Sequence, residues 1–313
     1  MWNASLQLRV NETREVHRSL RGTLPKGREE CCEMSTVRSL AFRTDIFLTA
    51  VDGVIHDRGR YIVLATPSNP DFWWGNFLLY REPPDAHAAT RGHDRSWLDD
   101  HARELPNAGA KLFAWDTPDG AKGDVEPFLR DGFELDESVI LTATSVVRPP
   151  RWNDDVKVEP IRTDAQWVAC ATLLTNAFAA RRSGSIDDLH TFVRQQLERY
   201  KSMQQQKTGQ WYGAYLDREL SGTLGLVRVD SEEHDAAGAL GRFQLVGTDP
   251  RFARQGVCST LVHNVARRAL SEQDFGTLVM AADATYHAAR VYESVGFEPT
   301  ERLLAVLKKA PAS

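Results

Sequence analysis

The sequence lacks the features that would place the chain in a membrane or outside the cell. No run of about 18 apolar residues occurs in its 313 residues, so no membrane-spanning helix is predicted. The N-terminal residues contain no apolar segment of the kind that a secretory signal has. The only cysteines are Cys31, Cys32, Cys170 and Cys258, and their spacing suits neither a zinc site nor a disulfide framework. We therefore expect a cytoplasmic protein without a metal and without a membrane partner.

An excess of positive charge is also absent, since 38 Lys and Arg residues stand against 43 Asp and Glu residues, for a net charge of -5. This balance argues against a nucleic-acid partner, although it is compatible with a local basic groove for a phosphorylated ligand. Gly-Lys-Ser/Thr loops and GxGxxG motifs are missing as well. What remains is a composition of 42% hydrophobic and 26% charged residues, ordinary for a folded protein, in a chain long enough for two domains.

A polar segment with a double proline, VVRPPRWNDD, predicts a linker and a domain boundary near residue 150. We expect a poorly ordered extension over residues 1–36, one domain over 37–150 and a second over 151–313. Hydrophobic periodicity in the second domain predicts the order β, α, α, β, β, β, α, β, α, β. Such an order is typical of an α/β fold in which helices flank a central mixed sheet.

In the first domain, DIFLTAVDG (45–53) and YIVLATP (61–67) read as two strands of a hairpin around a DRGR turn. An aromatic strand, a helix, another strand, a short helix ended by a glycine and a pair of closing strands follow. The segments FLRDGFELDESVIL (128–141) and YESVGFEPTERLLAVL (292–307) resemble each other, because an aromatic residue precedes a Gly-Phe pair in both. We interpret this as an internal repeat, with chance recurrence of a glycine-capped helix as the alternative.

The most informative stretch is LVGTDPRFARQGVCSTLVHNV, residues 245–265. A strand ends at Thr248, a turn containing Gly256 follows, and a helix begins directly after it. Glycine lets the backbone approach a ligand closely, and the free N–H groups at a helix start attract anions. The stretch therefore predicts a phosphate or pyrophosphate site. The alternative is a tight strand-to-helix connection that binds nothing.

A second motif, AARVYESVGFEP, places Tyr292 on a helix shortly before Gly296. In this order of elements, the two motifs resemble the GNAT family of acyl-CoA-dependent N-acetyltransferases, over residues 155–309. The resemblance and the internal repeat together imply two acyl-CoA N-acyltransferase-like domains in tandem, with acetyl-CoA as co-substrate. The first domain would be a degenerate copy, because Phe128 takes the position of Tyr292 and cannot donate a proton.

The resemblance also assigns cofactor-binding residues. The backbone of Val246, Gly247 and Thr248 would pair with pantetheine as an additional strand would. Backbone N–H groups of the turn and helix start would hold the pyrophosphate, at Arg254, Gln255, Gly256, Val257, Cys258 and Ser259. The sequence departs from the family pattern at Ala253, which replaces Arg or Gln, and at Cys258, which replaces Gly or Ala. Arg251 or Arg254 would then supply the missing charge.

For catalysis, the resemblance implies that Tyr292 protonates the thiolate that leaves as the tetrahedral intermediate collapses. The alternative is a core aromatic residue with a satisfied hydroxyl. No glutamate stands where some relatives carry their base, and Thr285 replaces an asparagine that many have. The open candidates for a base are a chain of water molecules and the side chains of Glu219, His234, Asp283 and His287.

We expect an enzyme that moves an acetyl group from acetyl-CoA to a primary amine by direct attack, with a small molecule as the acceptor and a peptide or protein N-terminus as the alternative. The second hypothesis is a non-catalytic acyl-CoA-binding or regulatory module, which Ala253 and the missing glutamate would explain. A third is acyl or aminoacyl transfer with an RNA partner, which the net charge of -5 disfavours. The aromatic residues Trp73, Trp74 and Phe77 belong either to the core or to a substrate cleft between the domains.

Overall fold

The structure, a computed structural model, describes residues 36–85, 94–179, 185–230, 238–284 and 288–309. The extension expected over residues 1–36 lies outside this part of the chain except for Thr36. Within these ranges, no helix combines the length and apolar character needed to cross a lipid bilayer. The same ranges contain no group of three or more His, Cys, Asp or Glu side chains arranged to hold a metal ion.

The described chain contains both helices and strands, as expected for an α/β fold. The helices are α1 (Leu40–Ala50), α2 (Asp94–Glu104), α3 (Glu126–Arg130), α4 (Asp164–Ala179), α5 (Ile186–Gln205), α6 (Val257–Glu272) and α7 (Ala288–Glu293). The strands are β1 (Val54–Asp57), β2 (Tyr61–Ala65), β3 (Phe77–Tyr80), β4 (Ala110–Trp115), β5 (Glu134–Ala143), β6 (Lys157–Pro160), β7 (Gly209–Leu216), β8 (Glu219–Val229), β9 (Ala239–Thr248), β10 (Phe275–Asp283) and β11 (Glu298–Lys309).

All of these strands join one sheet, in the order β1-β2-β3-β4-β11-β5-β10-β9-β8-β7-β6. The pairs β3–β4 and β9–β10 are parallel, and the other neighbours are antiparallel. Helices α1, α4 and α5 bury their apolar residues in one core cluster, and α6 and α7 bury theirs in another. The predicted α/β fold with a mixed sheet flanked by helices is confirmed, and its two halves share one continuous sheet.

The structure confirms the internal repeat. Each half contains a hairpin, a third strand, a helix, a fourth strand parallel to the third, a short helix and a long final strand. The turn before the final strand is also the same, because Phe133 N donates to Phe128 O (3.0 Å) and Phe297 N donates to Tyr292 O (3.2 Å). The glycines of the two turns, Gly132 and Gly296, both have a positive φ, 80° and 106°.

The two halves exchange their final strands. Strand β5 ends the first half, yet residues 138–143 pair with residues 278–283 of β10 in the second half. Strand β11 ends the second half, yet residues 304–309 pair with residues 110–115 of β4 in the first half. The exchanged strands also pair with each other, so that the sheet continues across the boundary between the halves.

Two predictions for the first half are wrong. Residues 45–50 belong to helix α1, whose start is capped by the Ser39 hydroxyl accepting from Phe42 N (3.3 Å), and β1 takes their place in the hairpin. A short apolar run does not distinguish a buried helix from a strand. The closing strand pair is the single strand β5, because its partner β11 comes from the end of the chain.

The aromatic residues of the first half belong to the core between the halves. Trp73 and Phe77 are buried, and Trp74 is half-buried with its ring 5.5 Å from the ring of Phe77. The neighbouring Phe72 ring lies 6.4 Å from that of Phe192 on α5, in the other half. These rings therefore hold the first half against α5, as the core alternative predicts.

Candidate functional site

A wedge opens in the sheet between the parallel strands β9 and β10. They pair only at their beginnings, over residues 239–242 of β9 and 275–279 of β10. Beyond that point β9 continues to Thr248 and β10 to Asp283 without pairing to each other, while β10 keeps β5 on its other side. The β9 edge that carries Val246, Gly247 and Thr248 therefore faces the wedge. Its backbone groups can bind an extended ligand, as the edge of a sheet does.

A β-bulge distorts β9 inside the wedge. The register with β8 shifts there, so that Leu245 and Val246 together oppose Leu224, and Leu245 has a φ of 48°. Bulges re-aim side chains and are frequent beside functional sites. Here Gln244 accepts a hydrogen bond from the Tyr200 hydroxyl of α5 (3.1 Å), and Leu245 packs in the core cluster that α5 shares. The bulge thus turns two successive side chains toward one face of the sheet.

The turn after β9 presents free backbone N–H groups. Gly256 caps α6 with a φ of 78°, and Arg254 has a φ of 63°. Among the described residues, no acceptor receives a hydrogen bond from the backbone N–H groups of residues 254–257 and 259. The first N–H groups of a helix have no partner within the helix, and the helix dipole makes this end positive. The turn therefore has the geometry of an anion site.

The arginines of the turn differ in their partners. Arg251 contacts the carboxylates of Asp249 (3.0 Å) and Glu219 (3.1 Å), so its charge is already compensated. Burial favours the neutral form of Asp249, but the hydrogen bonds from Arg251 outweigh it and lower the pKa of this carboxyl. Arg254 is exposed and has no hydrogen-bond or ion-pair partner in the described part of the chain. Of the two arginines that could replace the charge missing at Ala253, Arg254 is therefore the available one.

The segment that links the two halves packs on this turn. Asn153 donates from Nδ2 to Gln255 O (2.8 Å), and the Ser259 hydroxyl donates to Arg151 O (2.6 Å). A Cβ at Gly256 would lie 2.9 Å from Arg151 O. The Ser259 hydroxyl is thus engaged by the linker, which leaves its backbone N–H as the group that can bind a ligand.

Tyr292 lies on α7, buried, on the face of the sheet that α6 covers. Its ring centroid is 6.5 Å from that of Phe297, which is 5.8 Å from that of Phe243 on β9. Phe243 directly follows the last residue of β9 that pairs with β10. The aromatic contacts therefore connect Tyr292 to the point where the wedge opens.

The corresponding position of the first half has no wedge. Strands β3 and β4 pair up to Tyr80 and Trp115, and Asp116 N still donates to Tyr80 O (2.8 Å). The Trp97 ring stacks on Tyr80 at 3.6 Å and contacts the ring of Phe128 at 5.4 Å. In the first half, the paired strands thus leave no gap, and aromatic side chains pack at the place that corresponds to the wedge.

The candidates for a base are dispersed. Glu219 is exposed and bound to Arg251, and Asp283 ends β10 opposite Ser138. His234, Thr285 and His287 lie outside the described residues.

The sequence analysis missed a buried cluster beside the wedge. Arg242 of β9 donates to Thr44 Oγ1 (2.8 Å) and forms an ion pair with Asp45 (3.1 Å), both on α1 of the first half. The residues are far apart in sequence, so no motif connects them. In the sequence, the sign of this cluster is that Arg242 and Gln244 place two polar side chains in the middle of a mostly apolar strand.

Most of the second half is similar in sequence to a known protein family. Residues 180–305 match the family model of the acetyltransferase (GNAT) domain. No curated protein matches the chain in sequence. Most of the second half is therefore similar to a GNAT acetyltransferase domain, and this similarity supports acyl transfer as a general activity.

Solved structures share the fold over most of the chain. A conserved protein of unknown function from Staphylococcus epidermidis has a TM-score of 0.61 and 13% identity, covering 81% of this chain and 92% of its own. A GCN5-related N-acetyltransferase from Kribbella flavida has a TM-score of 0.55 and 12% identity, covering 88% and 96%. A tandem GNAT protein from the clavulanic acid biosynthesis pathway has a TM-score of 0.46 and 17% identity, covering 71% of both chains.

Proposed function

We propose that the chain is a cytoplasmic N-acetyltransferase that moves an acetyl group from acetyl-CoA to a primary amine of a small molecule. The observation that carries this proposal is the wedge between β9 and β10 together with the unpaired N–H groups of residues 254–257 and 259 before and at the start of α6. The edge of β9 at residues 246–248 would pair with the amide groups of pantetheine. The N–H groups of residues 254–259 would hold the pyrophosphate, with Arg254 adding positive charge.

In the proposed reaction, the amine nitrogen attacks the thioester carbonyl carbon directly and a tetrahedral intermediate forms. Its collapse breaks the carbon–sulfur bond, and the leaving thiolate takes the proton of the Tyr292 hydroxyl. The proton that the amine nitrogen loses passes to water, which returns a proton to the Tyr292 phenolate. Two cysteines lie in the described part of the chain, and neither is needed as an acyl carrier. Burial raises the pKa of the Cys170 thiol to about 11, and Cys170 lies within 3.4 Å of the Thr223 hydroxyl, which makes it a poor nucleophile.

The test uses the same substitution at two exposed glutamines. Gln255→Glu adds a negative charge where the pyrophosphate would lie, and Gln205→Glu adds one at the end of α5, away from the wedge. We avoid Gly256, because any side chain there would clash with Arg151 O. Acetyl-CoA at 100 times its Kd should stabilise the wild type by about 2.7 kcal/mol. Thermal unfolding with and without acetyl-CoA measures this effect in all three proteins.

We expect the wild type and Gln205→Glu to gain the same stability, and Gln255→Glu to bind acetyl-CoA at least several-fold more weakly. Equal stabilisation of all three proteins would show that the pyrophosphate does not lie on this turn. Stabilisation of the wild type without acetylation of any primary amine would favour the non-catalytic acyl-CoA-binding module instead.

A further inference from the structure

The face of β9 opposite Tyr292 carries a polar cluster formed by both halves of the chain. We call it the interdomain polar cluster, and it consists of Asp45 of α1, Tyr200 of α5, and Arg242 and Gln244 of β9, together with Gln196, which is buried one helical turn before Tyr200 on the same face of α5. The Asp45–Arg242 ion pair joins α1 to β9, and the Tyr200–Gln244 hydrogen bond joins α5 to β9. Arg242 and Gln244 are two residues apart on β9, so their side chains lie on the same face of the sheet and the two contacts are neighbours.

The cluster is buried, yet three of its polar atoms have no hydrogen-bond partner in the described structure. These atoms are Asp45 Oδ2, Gln196 Oε1 and Arg242 Nε. The three residues are only 8%, 1% and 1% exposed. Leaving a buried polar atom unpaired is unfavourable, so several such atoms close together call for an explanation, and a bound ligand is one.

The cluster adjoins the wedge. Arg242 is the last residue of β9 that pairs with β10, and Gln244 lies two residues further on, inside the wedge. Side chains alternate along a strand, so Phe243, which connects to Tyr292, points to the opposite face. A thioester held in the wedge would therefore have the proposed proton donor on one face and the polar cluster on the other.

On these grounds we propose that the interdomain polar cluster binds the acceptor, with Asp45 and Gln196 contacting its amino group. This inference rests on the proposed function and adds the substrate class. Asp45 Oδ2 and Gln196 Oε1 both need hydrogen-bond donors, and a primary amine supplies at least two. Arg242 Nε needs an acceptor, which an oxygen close to the amino group provides. The acceptor is thus an amine with a neighbouring hydroxyl, amide or carboxylate oxygen.

The decisive variant is Gln196→Leu. If Gln196 were merely an unpaired buried amide, its replacement by leucine would leave the protein at least as stable and equally active, since leucine suits a helix and needs no partner. If Gln196 binds the amine, stability is kept but the KM for the acceptor rises at least tenfold. Asp45→Asn, which keeps the size of the side chain, should raise the same KM at least as much.

The matched control is Asp52→Asn. Asp52 also connects the first half to α5, through an ion pair with Arg199 (2.8 Å), but it is partly exposed and both of its carboxylate oxygens already accept from Arg199 Nε. All variants are assayed as the full chain by thiol release at saturating acetyl-CoA, and the acetyl-CoA-induced shift in unfolding temperature is measured in parallel. We expect Asp52→Asn to keep the acceptor KM of the wild type within twofold, and all variants to keep the acetyl-CoA shift.

Two pairs of acceptors test the role of Arg242, namely ethanolamine against propylamine and glycinamide against butylamine. We expect kcat/KM to be at least tenfold higher for the oxygen-containing amine of each pair, and equal values would overturn this part of the inference. Wild-type kinetics in folded Gln196→Leu would overturn the acceptor site itself, even if Asp45→Asn failed to fold. A wild type that binds acetyl-CoA but acetylates no amine would instead refute the proposed function, and with it this inference.

Discussion

At the scale of single residues, the two halves differ most clearly at one hydroxyl group. Phe128 and Tyr292 occupy the same place in the repeated turn, and both are buried. Phe128 packs among Trp97, Phe113 and Phe133. Tyr292 lies instead beside an open wedge. The additional oxygen therefore stands in the half for which we propose thioester binding.

We expect Tyr292→Phe to lower kcat about 100-fold or more, because a positioned acid typically contributes a factor of this size. Binding of acetyl-CoA should not change, since the ring is retained. The assay is thiol release at saturating substrates, together with the acetyl-CoA shift in unfolding temperature. The control is Tyr215→Phe. This variant also removes a hydroxyl, but at the far side of the sheet, where the Tyr215 hydroxyl accepts a hydrogen bond from Gln166 Nε2 (3.0 Å). Equal kcat values in both variants would show that Tyr292 is not the acid.

Candidate site residues that lie in a local pattern can be proposed from the sequence, and candidates that meet only across the fold cannot. Gly256 and Tyr292 lie in short motifs whose spacing carries the information. Asp45 and Arg242 meet only because α1 of the first half lies over β9 of the second. A charged residue in an apolar strand signals that a partner exists, but the sequence does not say where it is.

At the scale of elements, α1 owes its beginning to side chains from two distant strands. Glu301 of β11 accepts from the Ser39 hydroxyl (2.7 Å) and from Leu40 N (2.8 Å). Asp116, directly after β4, accepts from Arg38 N (2.7 Å) and Ser39 N (2.9 Å). Two carboxylates thus satisfy the N–H groups at this helix start, where negative charge also suits the helix dipole.

Glu301→Gln should lower the free energy of unfolding by about 1–2 kcal/mol, because a neutral amide replaces a charged acceptor of two buried hydrogen bonds. Urea unfolding measures this change. Glu298→Gln is the matched control on the same strand, where the side chain is exposed and should contribute within about 0.5 kcal/mol. A cost for Glu301→Gln as small as that of the control would contradict this account of the helix start.

The elements of the second half could be predicted because their periodicity is clear and their connections are short. Residues 45–50 were mistaken for a strand because their apolar side chains face a core between the halves, which the local pattern does not reveal. The closing strand β5 was given a local partner for a similar reason. Its actual partners, β10 and β11, are far along the chain.

At the scale of the whole molecule, the exchanged strands make the halves depend on each other. Residues 151–313 alone lack β5, which separates β10 from β11 in the sheet. Residues 1–150 alone lack β11, which covers the edge of β4. The division into two domains at residue 150 thus remains a prediction from the sequence. In the sheet, strands from both sides of this boundary are hydrogen-bonded to each other.

We expect the fragments 1–150 and 151–313 to be poorly soluble when each is expressed alone, because each exposes an unpaired strand edge. When co-expressed, they should copurify and unfold in one cooperative transition. Copurification through a tag on one fragment and calorimetry of the complex measure this. The intact chain is the control. A fragment 151–313 that is monomeric and binds acetyl-CoA as tightly as the intact chain would show that the exchange is dispensable.

The position of β11 also has a consequence for synthesis on the ribosome. The first half leaves the exit tunnel well before residues 298–309 are translated, so the edge of β4 cannot be covered during that time. Until β11 is synthesised, the nascent chain therefore exposes an unpaired strand edge. During this time chaperones can bind the edge, or another strand can pair with it incorrectly. A premature stop codon near the end of the gene would thus damage the part of the protein that was made first.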